Sequence, residues 1–186
     1  MNDSAKLFLL AALGGVAAWL WLSRSGQATA KAAGESVGST IFKAVETVKN
    51  LTRGERNNNP GNIRITTSAW QGKIPAVENT DGAFEQFSSM VYGVRALAKT
   101  LLNYSKLYGL NTIEGIISRW APGHENPTAN YVKYIAAQLG VSPTDEINVN
   151  SPSVLERLTK AIIAFENGRV ISSDEEIKEG VSRAFA

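Results

Sequence analysis

The longest uninterrupted apolar stretch of the chain lies near its amino terminus. Residues 7–23 read LFLLAALGGVAAWLWLS and contain no charged side chain. As a helix this stretch would extend about 25 Å, slightly less than the roughly 30 Å hydrocarbon core of a bilayer. Trp19 and Trp21 lie at one end of it, where interfacial aromatic residues are common. The pattern predicts a single transmembrane helix over residues 1–24 and a single-pass membrane protein.

A secretory signal peptide is the alternative interpretation of the same segment. Lys6 would then form its basic start, and Ala28-Thr29-Ala30 its cleavage site. The paired tryptophans and the distance between the apolar run and that site favour a retained anchor. Residues 25–36 are small, polar and glycine-containing, which predicts a linker to the domain that follows.

Beyond this linker, apolar residues recur mostly at helical spacing. Residues 37–51 have the pattern of an amphipathic helix that ends near Arg53-Gly54. A last short helix begins at Ser173, with Glu176 three residues on to complete a capping box. Between them, capping residues predict four helices: from Ser88 or Ser89 to Tyr108, from Thr112 to Trp120, from Pro127-Thr128 to Gly140, and from Ser151-Pro152 to Gly168.

One segment between the predicted helices lacks helical character. The sequence RGERNNNPGN contains three successive asparagines and a proline, which predict a tight ordered turn. In residues 63–67, β-branched side chains occur in an alternating pattern. This pattern predicts one strand of a small β-hairpin, with its turn near residues 70–72. The predicted fold class is therefore mainly α, an α+β domain with one small hairpin over residues 37–170, followed by a C-terminal helix or tail over residues 171–186.

Composition narrows the chemistry available to this domain. The 186 residues include no cysteine and one histidine, His124. Zinc-thiolate sites, cysteine nucleophiles and metal sites built on several imidazoles are therefore excluded, and we predict no metal and no cofactor. The net charge of +2, from 19 basic and 17 acidic residues, gives no strongly basic character, so no nucleic-acid partner is predicted. The function classes that remain are catalysis by carboxylate side chains and non-catalytic binding.

Glu55 is the first candidate for a catalytic carboxylate. Cleavage of a glycoside needs a carboxylic acid in a partly apolar cleft, where a raised pKa keeps the proton for the leaving oxygen. Glu55 stands between a predicted helix end and the asparagine-rich turn, and a helix end facing a hairpin would form such a cleft. Glu125 is the alternative, because it lies in a loop between two predicted helices and such loops often line clefts. Glu125 could instead interact favourably with the amino-terminal end of the following helix.

Amide and aromatic side chains in the same segments are candidates for contacts with a sugar. The amides of Asn59, Asn62 and Gln86 can form hydrogen bonds with N-acetyl groups and hydroxyls. The rings of Trp70 and Tyr131 can stack on sugar faces. The alternatives are that the asparagine amides bond to the local backbone and fix the turn, and that aromatic residues at helical spacing belong to the core.

Several motifs resemble those of known protein families. Residues 55–60, ERNNNP, resemble the E-S-x-x-N-P segment of lysozyme-like lytic transglycosylases, in which the glutamate is the acid and base, although Arg56 replaces the serine. Residues 82–86, GAFEQ, resemble the G-L-M-Q segment of that superfamily, with the glycine and glutamine one residue further apart. A second resemblance extends over residues 53–140. This region resembles phage and prophage virion-associated, lysozyme-like cell-wall-degrading proteins in the segments RNNNPGNIR, AWQG, FEQF, GVRALAKTLLNY and YGLNTIEGIISRWAP.

This resemblance implies a peptidoglycan-cleaving muramidase of the lytic transglycosylase type. In such an enzyme one glutamic acid acts as general acid and base, and the 6-hydroxyl of the substrate closes the anhydro product. The expected partners are peptidoglycan glycan strands, a membrane through the N-terminal helix, and other virion proteins. The expected location is a virion membrane or the host cell envelope. The alternative is a non-catalytic virion structural or membrane protein built on a degenerate lysozyme-like fold.

Overall fold

The computed structural model describes residues 12–13, 16–17, 40, 51–122 and 128–186. The chain divides into two units, Met1–Asn50 and Leu51–Ala186. In the first unit, strand β1 (Ala12–Leu13) pairs antiparallel with strand β2 (Val16–Ala17). Thr40 is helical, and the other residues of 37–50, where a helix is predicted, lie outside the described residues. Leu51 and Thr52 are not helical, and a separate helix begins at Arg53, so the predicted end of the first helix near Arg53-Gly54 is wrong.

The predicted transmembrane helix is wrong, and the predicted single-pass membrane localisation is wrong with it. The described residues of the apolar stretch are those of β1 and β2, which are extended and paired; its other residues lie outside the described part. None of the described helices combines the length and the apolar composition that crossing a bilayer requires. Gly14 and Gly15 interrupt the stretch, and each glycine inside a helix costs about 1 kcal/mol relative to alanine.

Helices make up most of the second unit, as the spacing of apolar residues predicts. In the described part of this unit they are α1 (Arg53–Arg56), α2 (Met90–Tyr108), α3 (Ile113–Trp120), α4 (Thr128–Leu139), α5 (Pro152–Asn167) and α6 (Asp174–Phe185).

The capping residues set the bounds of these helices and confirm the predicted ends. Gly109 follows α2 in the left-handed conformation, with φ of 65°. The Thr112 side chain accepts a hydrogen bond from the backbone N–H of Gly115 at the start of α3. Ser173 and Glu176 form the predicted capping box of α6. Because a cap satisfies backbone groups that the helix leaves unpaired, these short polar residues determine where each helix begins or ends.

The hydrophobic core lies between α2 and the four helices that follow it. Helix α6 packs along α2, and Gly180 permits the close approach, since a Cβ there would lie 2.6 Å from Val94 Cγ1. Residues 171–186 therefore contribute to the core of the domain. The core side chains with at most 1% exposure include Val94, Leu97, Leu101, Ile113, Ile116, Ile117, Ile135, Leu155, Leu158, Ile162, Ile163 and Val181.

The predicted β-hairpin over residues 63–72 is wrong. Within residues 51–122 and 128–186 there is no strand of two or more residues. Instead, isolated antiparallel bridges join Arg64 to Phe84 and Lys73 to Phe87. The alternating residues therefore pair with a segment further along the chain. Backbone hydrogen bonds join the two segments, among them one from the Ile74 N–H to the Gln86 carbonyl at 2.8 Å.

Candidate functional site

Asn59 and Gln86 are both engaged in hydrogen bonds that hold the asparagine-rich turn. The fully buried Asn59 donates from Nδ2 to the carbonyls of Ile63 and Glu85, and its Oδ1 accepts from the Ile63 N–H, each at 2.9 Å. Gln86 Nε2 donates to Asn57 Oδ1, in the turn, at 2.9 Å. Because the amide of Asn59 is fully used inside the protein, the structure places it as a residue that fixes the turn.

Glu55 is held by the residues around the start of α1. Its Oε2 accepts from the Thr52 N–H at 2.7 Å, while Thr52 Oγ1 accepts from the Glu55 N–H at 3.2 Å, which completes a capping box. Its Oε1 accepts from Arg169 Nη2 at 2.6 Å. Burial raises the pKa of Glu55, but the hydrogen bonds from Thr52 and Arg169 outweigh it, and the pKa lies below the usual value. A general acid needs a shift in the opposite direction. The alternative acid, Glu125, lies outside the described residues.

A groove of about 480 Å³ lies beside the asparagine-rich turn. Its volume is in the range of roughly 300–1,000 Å³ that is typical of ligand pockets. We call it the Glu166 groove, after the one carboxylate residue among its described lining residues. It is lined by Gly61, Asn62, Ile63, Arg64, Thr66, Trp70, Phe84, Thr100, Tyr104, Trp120, Ala121, Pro122 and Glu166.

Glu166 lies near the end of α5 and is held in place by three donors. Its Oε1 accepts from Trp120 Nε1 at 3.0 Å and from the Tyr131 hydroxyl at 2.9 Å, and its Oε2 accepts from Asn62 Nδ2 at 3.3 Å. Tyr131 is 1% exposed and stacks on Phe165 with ring centroids 3.7 Å apart. Burial, followed by the charge of Glu166, raises the pKa of Tyr131. Tyr131 therefore orients Glu166 and has no free ring face for a sugar.

Two polar atoms of the groove residues have no partner among the described residues. Trp70 Nε1, a donor, and Asn62 Oδ1, an acceptor, are both buried and unpaired. Asn62 also adopts the left-handed conformation, with φ of 47°, which is uncommon outside glycine. Buried polar atoms are normally paired, and strained backbone concentrates at functional sites. A donor and an acceptor left unpaired beside a carboxylate are therefore typical of a binding site.

The structure brings three of the predicted site residues together and separates the others from them. Trp70 and Asn62 line the Glu166 groove, and Tyr131 contacts its carboxylate. Asn59 and Gln86 lie in the scaffold of the turn, and Glu55 lies at the cap of α1.

The analysis of the sequence missed Glu166, although its pattern contains a signal. Leu155, Thr159 and Ile162 are fully buried on α5, and Glu166 follows them at the same helical spacing. A charged residue on the apolar stripe of a helix needs buried partners. That requirement identifies Glu166 as a residue with a specific role.

Comparisons with known proteins point to a phage protein. No family model matches the chain. The chain is similar to Protein P5 of Pseudoalteromonas phage PM2, with 38% identity over 142 residues that cover 74% of this chain and 85% of that protein.

Proposed function

We propose that this chain, which belongs to the family of Protein P5 of Pseudoalteromonas phage PM2, is a phage or prophage protein that acts on peptidoglycan, as its sequence motifs suggest. Its substrate is the glycan strand, which binds in the Glu166 groove. The reaction is cleavage of the strand in the manner of a lytic transglycosylase, with Glu166 in the role that the sequence motif suggested for Glu55.

The placement of Glu166 is the observation that carries this proposal. A muramidase needs a carboxyl group in a groove that also offers aromatic surfaces and amide contacts to sugars. Trp70 and Trp120 supply aromatic surface beside Glu166, and Asn62 supplies the amide.

The number of carboxylates favours a route with a single acid. Glycoside hydrolases that retain or invert the configuration at the anomeric carbon use two carboxyl groups, one on each side of the scissile bond. Glu166 is the only carboxylate among the described lining residues of the groove. In the proposed reaction, Glu166 donates its proton to the glycosidic oxygen as the bond from C1 to that oxygen breaks. The resulting carboxylate then takes the proton of the substrate's 6-hydroxyl, whose oxygen bonds to C1 and closes the anhydro ring.

The second candidate function is a non-catalytic virion protein that binds glycan. One observation favours it: both oxygens of Glu166 already accept hydrogen bonds within the protein. Such a carboxylate is also suited to orienting a bound sugar hydroxyl without transferring a proton. In this case the groove binds the strand and leaves it intact.

A digestion assay with purified peptidoglycan sacculi distinguishes the two functions. The full-length protein is compared with Glu166→Gln, with Glu55→Gln and with Glu156→Gln, a control on the same helix whose residue does not line the groove. Binding is measured by co-sedimentation, and released muropeptides are identified by mass. We expect anhydro products from the wild type, and a decrease of at least about 100-fold in their release with Glu166→Gln.

The controls decide how each outcome is interpreted. Glu55→Gln and Glu156→Gln are expected to release products at the wild-type rate. Loss of release with Glu55→Gln alone would contradict the assignment to Glu166. Binding by the wild type without any release would support the non-catalytic function, and absence of binding by a folded sample would contradict both.

A further inference from the structure

We propose that the substrate cleft continues beyond the Glu166 groove into a second cavity, where Arg119 binds a free carboxylate of the stem peptide attached to the glycan. This inference rests on the proposed function, because it concerns the part of the same substrate that projects from the sugar chain. We call this second cavity the Arg119 subsite. It is lined by Tyr104, Tyr108, Leu110, Gly115, Ser118, Arg119 and Pro122.

The two cavities adjoin each other, because two residues line both of them. The Arg119 subsite has a volume of about 660 Å³ and shares Tyr104 and Pro122 with the Glu166 groove. Trp120, which donates to Glu166, is the direct neighbour of Arg119 at the end of α3. A ligand bound at Glu166 therefore has a substituent-sized space beside it.

Among the residues that the structure describes, Arg119 is a positioned cation without a partner of opposite charge. Its guanidinium lies 3.6 Å from the centroid of the Tyr108 ring and 5.2 Å from that of Tyr104. Stacking of this kind fixes the planar guanidinium and leaves its N–H donors available to an acceptor. The ion pairs of the described residues do not include Arg119, although the side chain is exposed at the surface.

The surroundings of Arg119 are suited to a small anionic group joined to an apolar body. Tyr108 is 53% exposed and Leu110 also lines the subsite, so aromatic and aliphatic surface is available beside the cation. A planar guanidinium matches the geometry of a carboxylate with two parallel hydrogen bonds. The backbone of an N-acetylated glycan is neutral apart from its substituents, whereas the stem peptide has short apolar side chains and free carboxylates. The stem peptide is therefore the part of the substrate with the matching chemistry.

The test compares two forms of one ligand that differ only in charge. A peptidoglycan tetrasaccharide with its stem peptides is prepared with free carboxylates and with the same carboxylates converted to amides. Binding to the full chain is followed by the initial change in tryptophan fluorescence, before product accumulates. We expect the free form to bind about 3- to 5-fold more tightly than the amidated form at low salt, as an exposed ion pair allows. The ratio is expected to fall towards one as salt is raised.

Substitutions assign the preference to Arg119. Arg119→Gln is expected to bring the ratio of the two affinities to about one. Arg119→Lys is expected to retain part of the preference, because the positive charge remains while the stacked planar guanidinium is lost. Lys178→Gln, which removes one positive charge from the exposed surface of α6, is the control and should leave the ratio unchanged. Melting curves by circular dichroism verify that each variant is folded.

The outcomes separate this inference from the proposed function. Equal affinity of the wild type for the free and amidated forms overturns the Arg119 subsite while leaving glycan binding in the groove intact. A ratio that Arg119→Gln does not change also overturns it. Binding of neither form, nor of the neutral tetramer of N-acetylglucosamine, contradicts the proposed function itself.

Discussion

Glu55 and Glu166 differ in the residues that donate to them, and this difference decides what each can do. Glu55 accepts from a helix-capping backbone N–H and from a guanidinium, and its side chain is 18% exposed. Glu166 accepts from an indole, a phenol and an amide, all neutral, and lines a groove. A cationic partner stabilises the ionised form of a carboxyl group more strongly than neutral donors do. Glu55 is therefore suited to stabilising the fold, and Glu166 to contacting a ligand.

Replacement of Glu55 tests its structural role through the pH dependence of stability. Glu55→Gln keeps the capping box, which glutamine also forms, and removes the charge facing Arg169. At neutral pH we expect the free energy of unfolding to fall by about 0.5–1 kcal/mol. Because the folded-state pKa of Glu55 is lowered, its contribution is present above the unfolded-state pKa of about 4.3 and is lost as the pH falls through the folded-state pKa.

Urea unfolding at neutral pH and at about pH 2.5 measures this difference, since at the lower value the carboxyl group is protonated in the unfolded state. Glu78→Gln, at an exposed loop position, is the matched control and should change stability by less than about 0.5 kcal/mol. An equal loss of stability by Glu55→Gln at both pH values would contradict the role assigned to the ion pair.

Individual site residues were predictable only where their chemistry was visible locally. Asn62 and Trp70 follow the asparagine-rich turn, so a search for amides and aromatic residues near it finds them. Asn59 has the same chemistry, but its amide is consumed by backbone groups that come close only after folding. The capping box formed by Thr52 and Glu55 was also visible in the sequence, as a threonine followed three residues later by glutamate.

At the scale of elements, the turn over residues 57–60 packs directly against α2. Gly93 makes the contact possible, because a Cβ at this position would lie 1.9 Å from the Asn58 carbonyl oxygen and 2.7 Å from Pro60 Cδ. Asn58 has φ of 48°, so the turn is already in a restricted conformation and has little freedom to move away. The same turn leads into Asn62, which contacts Glu166.

Gly93→Ala is therefore expected to destabilise the fold although alanine is the better helix former. Replacement of a helical glycine by alanine gains about 1 kcal/mol in helix propensity. The backbone oxygen 1.9 Å from the new methyl group must move, and overpacking of this kind costs about 1–3 kcal/mol or more. We expect a net loss of at least about 1 kcal/mol in urea unfolding. Gln138→Ala, at an exposed position of α4, should change stability little, and an increase in stability with Gly93→Ala would contradict the contact.

Local sequence predicted the helices well and the extended segment poorly, for a physical reason. The caps of α2, α3 and α6 lie within a few residues of the backbone groups that they satisfy, so each is visible in a short window. The extended residues at Arg64 and Lys73 pair with Phe84 and Phe87 instead of with a neighbouring strand. The alternation of side chains indicates an extended conformation, but it does not identify the partner.

At the scale of the whole molecule, the Glu166 groove is assembled from segments that are far apart in the chain. Asn62 comes from the turn, Trp120 from the end of α3 and Glu166 from the end of α5. The core between these helices sets their separation. No local pattern contains the distances between the three side chains, so the sequence predicted the types of residue in the site but not the carboxylate at its centre.

The unit Leu51–Ala186 contains both the core and the groove, and we expect it to fold without residues 1–50. A fragment with this range has Trp70 and Trp120 as its only tryptophans, and both line the groove. Its fluorescence therefore reports on the site, while far-ultraviolet circular dichroism reports on the helices. If the groove belongs to the same cooperative unit as the core, the two urea unfolding curves coincide.

A second fragment, residues 51–170, removes α6 and with it the buried side chains of Ile177, Val181 and Ala184. Because these residues cover the face of α2 beside Gly180 and Val94, their loss is expected to abolish the cooperative transition. If the longer fragment gave two separate transitions, the groove would fold independently of the core. If the shorter fragment unfolded cooperatively, α6 would be an accessory to the domain, and the support of Glu166 would come from α2 to α5 alone.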